Sequence, residues 1–281
     1  MKLLITGSSG FLGRRVAAHF SALGHQVLTP SSAELNITNE DSVNRWFGQY
    51  QPEAVIHCAA VSDTGLCQKK PEWSHEINVT GSVRLARACS HTGAKFLFCS
   101  SDQVYHASSL PGPHAESEPL TPESTYARQK LQAEQLCCSA CPNTVSLRLS
   151  WMYSTSLSPD EHGHLLTALR DSLPDDSSPI IRSVHDFRGI TDVDDVVRNL
   201  PAALDLPAGV YNFGAENHLD TYGTMKAVFE ALDLQNALNR LVPDETAHAR
   251  DIRMDTSLAA SCGITFPPTV EGLCHAVSTL L

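Results

Sequence analysis

The run Tyr126-Ala127-Arg128-Gln129-Lys130 sets a phenol and an ammonium four residues apart, on one face if the segment is helical. A free phenol titrates near pH ~10, too high for easy proton exchange at neutrality. A neighbouring cation favours the phenolate, so the pair predicts a tuned proton donor. Ser101 follows the apolar run Phe96-Leu97-Phe98-Cys99-Ser100. It would stand at the carboxyl end of a strand, where open parallel sheets bind ligands, with its hydroxyl able to orient a carbonyl oxygen. Alone, Tyr-x-x-x-Lys reads equally well as a solvated helix face. Its meaning comes from a glycine turn far upstream.

That turn is Thr6-Gly7-Ser8-Ser9-Gly10-Phe11-Leu12-Gly13, lying between an apolar strand and a helical stretch. The first glycine permits a tight turn, the second a close backbone approach to a pyrophosphate, and the third close packing of helix on strand. Exposed N–H groups and the helix dipole favour phosphate charge there, so Gly7, Ser9, Gly10, Phe11, Leu12 and Gly13 are candidate cofactor-binding residues. An NAD site commonly has a carboxylate at the end of the second strand. Here that strand ends Val27-Leu28-Thr29-Pro30-Ser31-Ser32. Hydroxyls at Thr29, Ser31 and Ser32, with Arg14 or Arg15 nearby, suit a 2′-phosphate, so NADP is preferred over NAD.

The elements required to position these groups follow from periodicity. Strands are expected at Lys2–Thr6, Gln26–Thr29, Ala54–Cys58, Lys95–Ser100 and Thr144–Leu149. Helices are expected over Phe11–Leu23, Glu40–Tyr50, His75–Thr92 and Ser124–Cys138. This alternation predicts an α/β fold, a Rossmann-type doubly wound parallel sheet with a smaller C-terminal substrate-binding domain. The division is placed at residues 1–150 and 151–281, with about 190–213 returning to the sheet through a helix at Asp192–Leu204 and a strand at Gly209–Phe213. Ala107–Pro122 reads as a loop between strand four and the next helix, Tyr153–Glu161 and Leu173–Pro179 as loops around a short helix, His164–Asp171, and Thr221–Leu232 as a further helix.

Net charge −11 argues against nucleic-acid or anionic-membrane partners, which reward basic patches. The apolar start is too short for a signal peptide and no run of about 18 apolar residues appears. The cysteines then read as reduced thiols in a cytoplasmic protein.

Together, Thr6–Gly13, Pro52–Ala60, Asn78–Gly81, Ser100–Tyr105, Tyr126–Lys130 and Arg148–Tyr153 resemble the extended short-chain dehydrogenase/reductases, and most of all the dTDP-4-dehydrorhamnose reductase family. Arg253-Met254-Asp255-Thr256-Ser257 adds to the likeness. The resemblance implies catalytic Ser101, Tyr126 and Lys130, with Lys130 also holding the nicotinamide ribose. It implies cofactor contacts at Cys58, Ala59 and Ala60 and adenine contacts at Asn36 and Ile37. Asn78 would support the strand-four region. The implied reaction is hydride transfer from NAD(P)H to a nucleotide-linked keto sugar, with Tyr126 as proton donor. A homodimer is compatible with it. A sugar epimerase or dehydratase, or a non-catalytic NADP-binding regulatory subunit like that of methionine adenosyltransferase, are the alternatives. Ser62-Asp63-Thr64-Gly65-Leu66 replaces a short acidic motif of the family beside substrate, so fold and chemistry transfer and the sugar does not.

Other residues are weighed and set aside or left open. Cys137, Cys138 and Cys141 cluster without a second ligand pair at metal spacing, so no metal is expected. His162 and His164 read as a loop tip. Arg188 suits either a substrate diphosphate or a salt bridge, and Trp151 either stacks on substrate or fills core.

Overall fold

The apolar runs near the amino terminus form β1 (Lys2–Thr6), β2 (Gln26–Leu28), β3 (Ala54–His57), β4 (Lys95–Ser101) and β5 (Thr144–Leu149). The computed structural model describes residues 1–156 and 178–279. Between these strands run α1 (Phe11–Ala22), α2 (Glu40–Tyr50), α3 (Thr64–Lys69), α4 (Pro71–His75), α5 (Ser82–Thr92) and α6 (Thr125–Ala140). Later come β6 (Trp151–Tyr153), β7 (Ile180–Ser183), β8 (Asp186–Phe187), β9 (Ile190–Asp192), α7 (Val193–Leu204) and β10 (Gly209–Phe213). The chain closes with α8 (Thr221–Ala231), α9 (Gln235–Arg240), β11 (Leu241–Asp244), β12 (Arg250–Asp251), α10 (Ser257–Ser261) and α11 (Thr269–Ser278).

Six strands make one sheet in the order β10-β5-β4-β3-β1-β2, all parallel. Both faces are covered, which is why the strands are apolar throughout. Because neighbouring side chains alternate between faces, Leu3, Ile5, Leu97 and Cys99 enter the core shared with α1 and α7. Leu4, Val55, Phe96 and Phe98 enter the opposite core, under α2, α5 and α6. The doubly wound parallel sheet is therefore present, and it sets the ends of β1, β3 and β4 side by side.

Two local differences matter for the site. The long helix expected over His75–Thr92 is instead α4, a π-helical turn at Glu76–Gly81, and α5. The wider turn carries buried Asn78, which bonds outside its own helix, and such bulges often sit at functional places. Ser62–Leu66 is not open loop. Asp63 accepts from Leu66 N at 2.7 Å and so caps the start of α3, satisfying an otherwise orphan donor.

Beyond Ser150 the chain is more regular than periodicity suggests. β6 pairs β9, β7 pairs β11 and β8 pairs β12, each in parallel. These strands are two to four residues long and join partners far away in sequence, so alternation has no length over which to show. Tyr153, Ile180, Met225, Phe229, Leu273 and Val277 form a separate core there. Tyr153 thus belongs to a strand rather than a loop. The helix expected at His164–Asp171 and the histidines His162 and His164 lie outside the described residues.

Candidate active site

Ser101 ends β4 and Tyr126 and Lys130 share a face of α6, so strand and helix bring the three together. Ser124 caps α6 by accepting from Ala127 N at 3.2 Å, which fixes the turn bearing Tyr126. All three side chains are inside, at 9%, 8% and 4% exposure for Ser101, Tyr126 and Lys130. The Ser101 hydroxyl lies near the Tyr126 phenol and donates to Asp102 Oδ1 at 3.3 Å. The Lys130 ammonium lies 5.9 Å from the Tyr126 ring centre and 5.0 Å from that of Phe98. It donates to the Cys99 carbonyl at 2.7 Å.

The electrostatics differ from the simple expectation. Lys130 does not dominate the phenol: burial pushes Tyr126 above its ordinary value, and the nearby Ser101 hydroxyl only partly opposes this. Desolvation disfavours the charged form of an acid, so the proton stays on Tyr126 in the free chain. Burial likewise holds the Lys130 ammonium below its usual range.

Ser101, Tyr126 and Lys130 do not line the cavity at the glycine turn; contacts through Cys99 and Cys58 lead from them to it. The Cys99 and Cys58 sulfurs are 3.8 Å apart, and Cys58, Ala59 and Ala60 line a cavity of about 990 Å³ with Gly7, Ser9 and Gly10. Thr29, Ser31, Asn36 and Ile37 line the same cavity. Phe11, Leu12 and Gly13 do not; they form the first turn of α1 behind it. Gly7 has φ +69°, and a Cβ there would come within 2.7 Å of Ala59 N. A Cβ at Gly13 would run into the Gly7 carbonyl. The turn is thus a cradle that side chains would fill, with bare backbone facing a cavity large enough for a dinucleotide, and the residues fit that group.

Asn78 plays a different part from the one expected. It is absent from the cavity lining and does not bond strand four. Its Oδ1 accepts from Val61 N at 2.7 Å, while Nδ2 donates to Val61 O and to Gln129 Oε1 at 3.1 and 2.9 Å. It ties Val61, at the exit of β3, to Gln129 on α6. Arg15 also departs from expectation: it donates to Phe11 O, Ser154 Oγ and Ser156 O, and neither Arg14 nor Arg15 lines the cavity.

His57, at the end of β3, escaped sequence reading. Its ring bonds Thr6 Oγ1 at 2.6 Å and Ser82 Oγ at 2.8 Å. Ser82 gives its own proton to Asn78 O at 2.8 Å, so Nε2 must donate to Ser82 and Nδ1 accept from Thr6. Burial, helped by the charge on Lys130, drives His57 down to about 3.

On the far side of Ser101 lies a second polar group. Asp102 Oδ1 accepts from Ser101 Oγ and Gln103 Nε2 at 3.3 and 3.2 Å, while its Oδ2 has no hydrogen-bond partner. Burial raises its carboxyl above the usual range, opposed by Arg188. Arg188 is buried, sits 5.0 Å over the Trp151 ring and 3.7 Å from Asp186, and its Nε has no hydrogen-bond partner. Arg250 grips Asp186 with two bonds at 2.8 and 2.6 Å. Trp151 is 38% exposed and does not fill core. Nothing in its local sequence marked Asp102 as the hinge of this arrangement beyond its place beside Ser101.

Among the described residues no three His, Cys, Asp or Glu side chains gather to hold a metal, and no helix is long and apolar enough to cross a membrane. Cys137 and Cys141 are core residues.

A family model described as the RmlD substrate binding domain matches residues 1–259. The dTDP-4-dehydrorhamnose reductase of Mycolicibacterium smegmatis is 34% identical over 152 residues, 54% of this chain and 46% of that protein. The chain spans about half the length of the mycobacterial reductases it matches. Methionine adenosyltransferase 2 subunit beta of Xenopus tropicalis is 25% identical across 88% of this chain and 77% of its own. The dTDP-4-dehydrorhamnose reductase of Bacillus anthracis, solved in complex with NADP, superimposes with TM-score 0.84 at 20% identity, covering 99% of both chains. At that identity the likeness speaks for the fold.

Proposed function

The chain belongs to the RmlD substrate binding domain family, and from that premise we propose that it is an NAD(P)H-dependent reductase of a nucleotide-linked keto sugar. One observation supports the reading: Ser101, Tyr126 and Lys130 are buried together, and Lys130 reaches the cavity wall through Cys99 and Cys58. Gly7, Ser9, Gly10, Cys58, Ala59 and Ala60 would hold the dinucleotide, with Thr29, Ser31, Asn36 and Ile37 at its adenosine end. When bound in reduced form, it supplies hydride to the carbonyl carbon.

The chain's own residues do the rest. Ser101 donates to the carbonyl oxygen and fixes its direction. Tyr126, kept protonated by burial, gives that oxygen its proton as the carbon–oxygen double bond becomes an alcohol. The phenolate left behind is stabilised by the Lys130 ammonium and is reprotonated from solvent. Asp102 beside Ser101 and Arg188, paired with Asp186 at 3.7 Å, would set the charge at the sugar end, where Trp151 offers a half-open ring face.

The test is a panel of nucleotide keto sugars incubated with NADH or NADPH. Stoichiometric loss of the reduced nucleotide with one sugar supports the reductase. Conversion without net nucleotide loss would indicate an epimerase or dehydratase. Nucleotide binding without any conversion would move the reading toward a non-catalytic subunit; the Xenopus relative is named methionine adenosyltransferase 2 subunit beta.

A further inference from the structure

We infer that the adenosine end of the cleft selects NAD over NADP, with Glu34 as the specificity-determining residue. The inference rests on the dinucleotide site proposed above and adds the identity of its ribose.

Sequence patterning favours a 2′-phosphate there because strand β2 ends without a carboxylate. The structure supplies one from further along. Glu34 lines the cavity together with Thr29, Ser31 and Ser32, because the chain turns back on itself after Pro30. Ser31 N and Ser31 Oγ both donate to Glu34 Oε2 at 2.8 Å, and Glu34 N donates back to Ser31 Oγ at 3.3 Å. Both incoming bonds fall on Oε2, so Oε1 keeps its acceptor capacity. The same bonds hold the carboxyl below its ordinary value, so it is a fixed negative charge at neutral pH.

No lysine or arginine lines this cavity among the described residues. Arg15, the cation nearest in sequence reasoning, is committed to Ser154 and Ser156. The other acid in the lining, Glu76, is bonded to Arg84 at 2.6 Å. A ribose 2′-hydroxyl can donate to a carboxylate oxygen, the arrangement that marks NAD sites. A 2′-phosphate has no proton to give at pH 7 and brings nearly two negative charges against Glu34. The site is exposed, so the repulsion is screened and should weaken with salt.

The experiment is isothermal titration of the full chain with NAD and with NADP, at low and at high ionic strength. The expected result is tighter NAD binding, by about tenfold or more at low salt, and a smaller ratio at high salt. Glu34→Gln keeps the turn's acceptor but not the charge. It should raise NADP affinity several-fold, leave NAD within about threefold, and abolish the salt dependence of the ratio. Glu34→Arg should reverse the preference. NADP binding as tightly as NAD to the parent chain would overturn the inference and leave the dinucleotide site standing. Equal weakening of both nucleotides by Glu34→Gln would also overturn it, since that marks a turn residue only. Binding of neither nucleotide to the parent chain would bring down the site itself, and the inference with it.

Discussion

At the inner end of the cleft Ser101, Tyr126 and Lys130 are buried, and burial holds the Lys130 ammonium below its usual range. At the outer end Ser31, Ser32 and Glu34 stand in solvent on a turn that closes on itself. The first region works by desolvation: burial keeps the proton on Tyr126 and keeps the His57 ring neutral. The second works by the sign of a charge that water partly screens. A change at the inner end should therefore cost fold or turnover outright, while one at the outer end should alter preference alone.

The largest expected effect lies on β5, beside the strand that ends in Ser101. Arg148 sits opposite Ser100 across β4 and β5 and bonds buried Glu134 at 2.7 and 3.2 Å and the Tyr105 hydroxyl at 2.7 Å. Arg148→Met leaves Glu134 as an uncompensated buried charge and should cost roughly 3–5 kcal/mol, read as a lowered urea midpoint. Adding Glu134→Leu should restore part of the loss. If the single variant is as stable as the parent, the inner end is not governed by desolvation.

A smaller effect concerns acid. His57 has a folded value depressed to about 3 against an unfolded value of about 6.5. Its contribution is therefore present above pH ~6.5 and is lost as pH falls toward the folded value, at up to ~1.4 kcal/mol per pH unit. His57→Gln should flatten this part of the stability–pH curve. An unchanged slope would mean that other groups carry the acid response.

The smallest effect is at the outer end. Ser32→Ala should leave stability within about 0.5 kcal/mol, by the same urea measurement. A loss comparable to that of Arg148→Met would erase the contrast between the two ends.

The two ends also differ in how far residue order reveals them. Strands β1, β3, β4 and β5, the cradle at Gly7 and the Tyr126–Lys130 face were legible because each depends on a local period or a turn. The partners of Asn78, and His57 and the Arg148–Glu134 pair, were not, since these contacts join distant elements and burial sets the charge state of His57. Glu34 was missed for a different reason. A carboxylate is looked for at the end of β2, whereas here Ser31 folds the chain back and delivers one three residues later. The short strands β7, β8, β11 and β12 pair only across long sequence separations, so no local signal announces them.

The central claim is that Tyr126 delivers the proton beside a dinucleotide held by the glycine cradle. It is tested most directly by Tyr126→Phe with cofactor deuterated at the transferring position, following label in the product and nucleotide affinity on the same preparation. The account predicts that the parent chain places the label on the sugar's carbinol carbon. The Phe variant should bind nucleotide within about threefold while label transfer falls by roughly 10²–10⁴. Transfer at the parental rate in the Phe variant would contradict it.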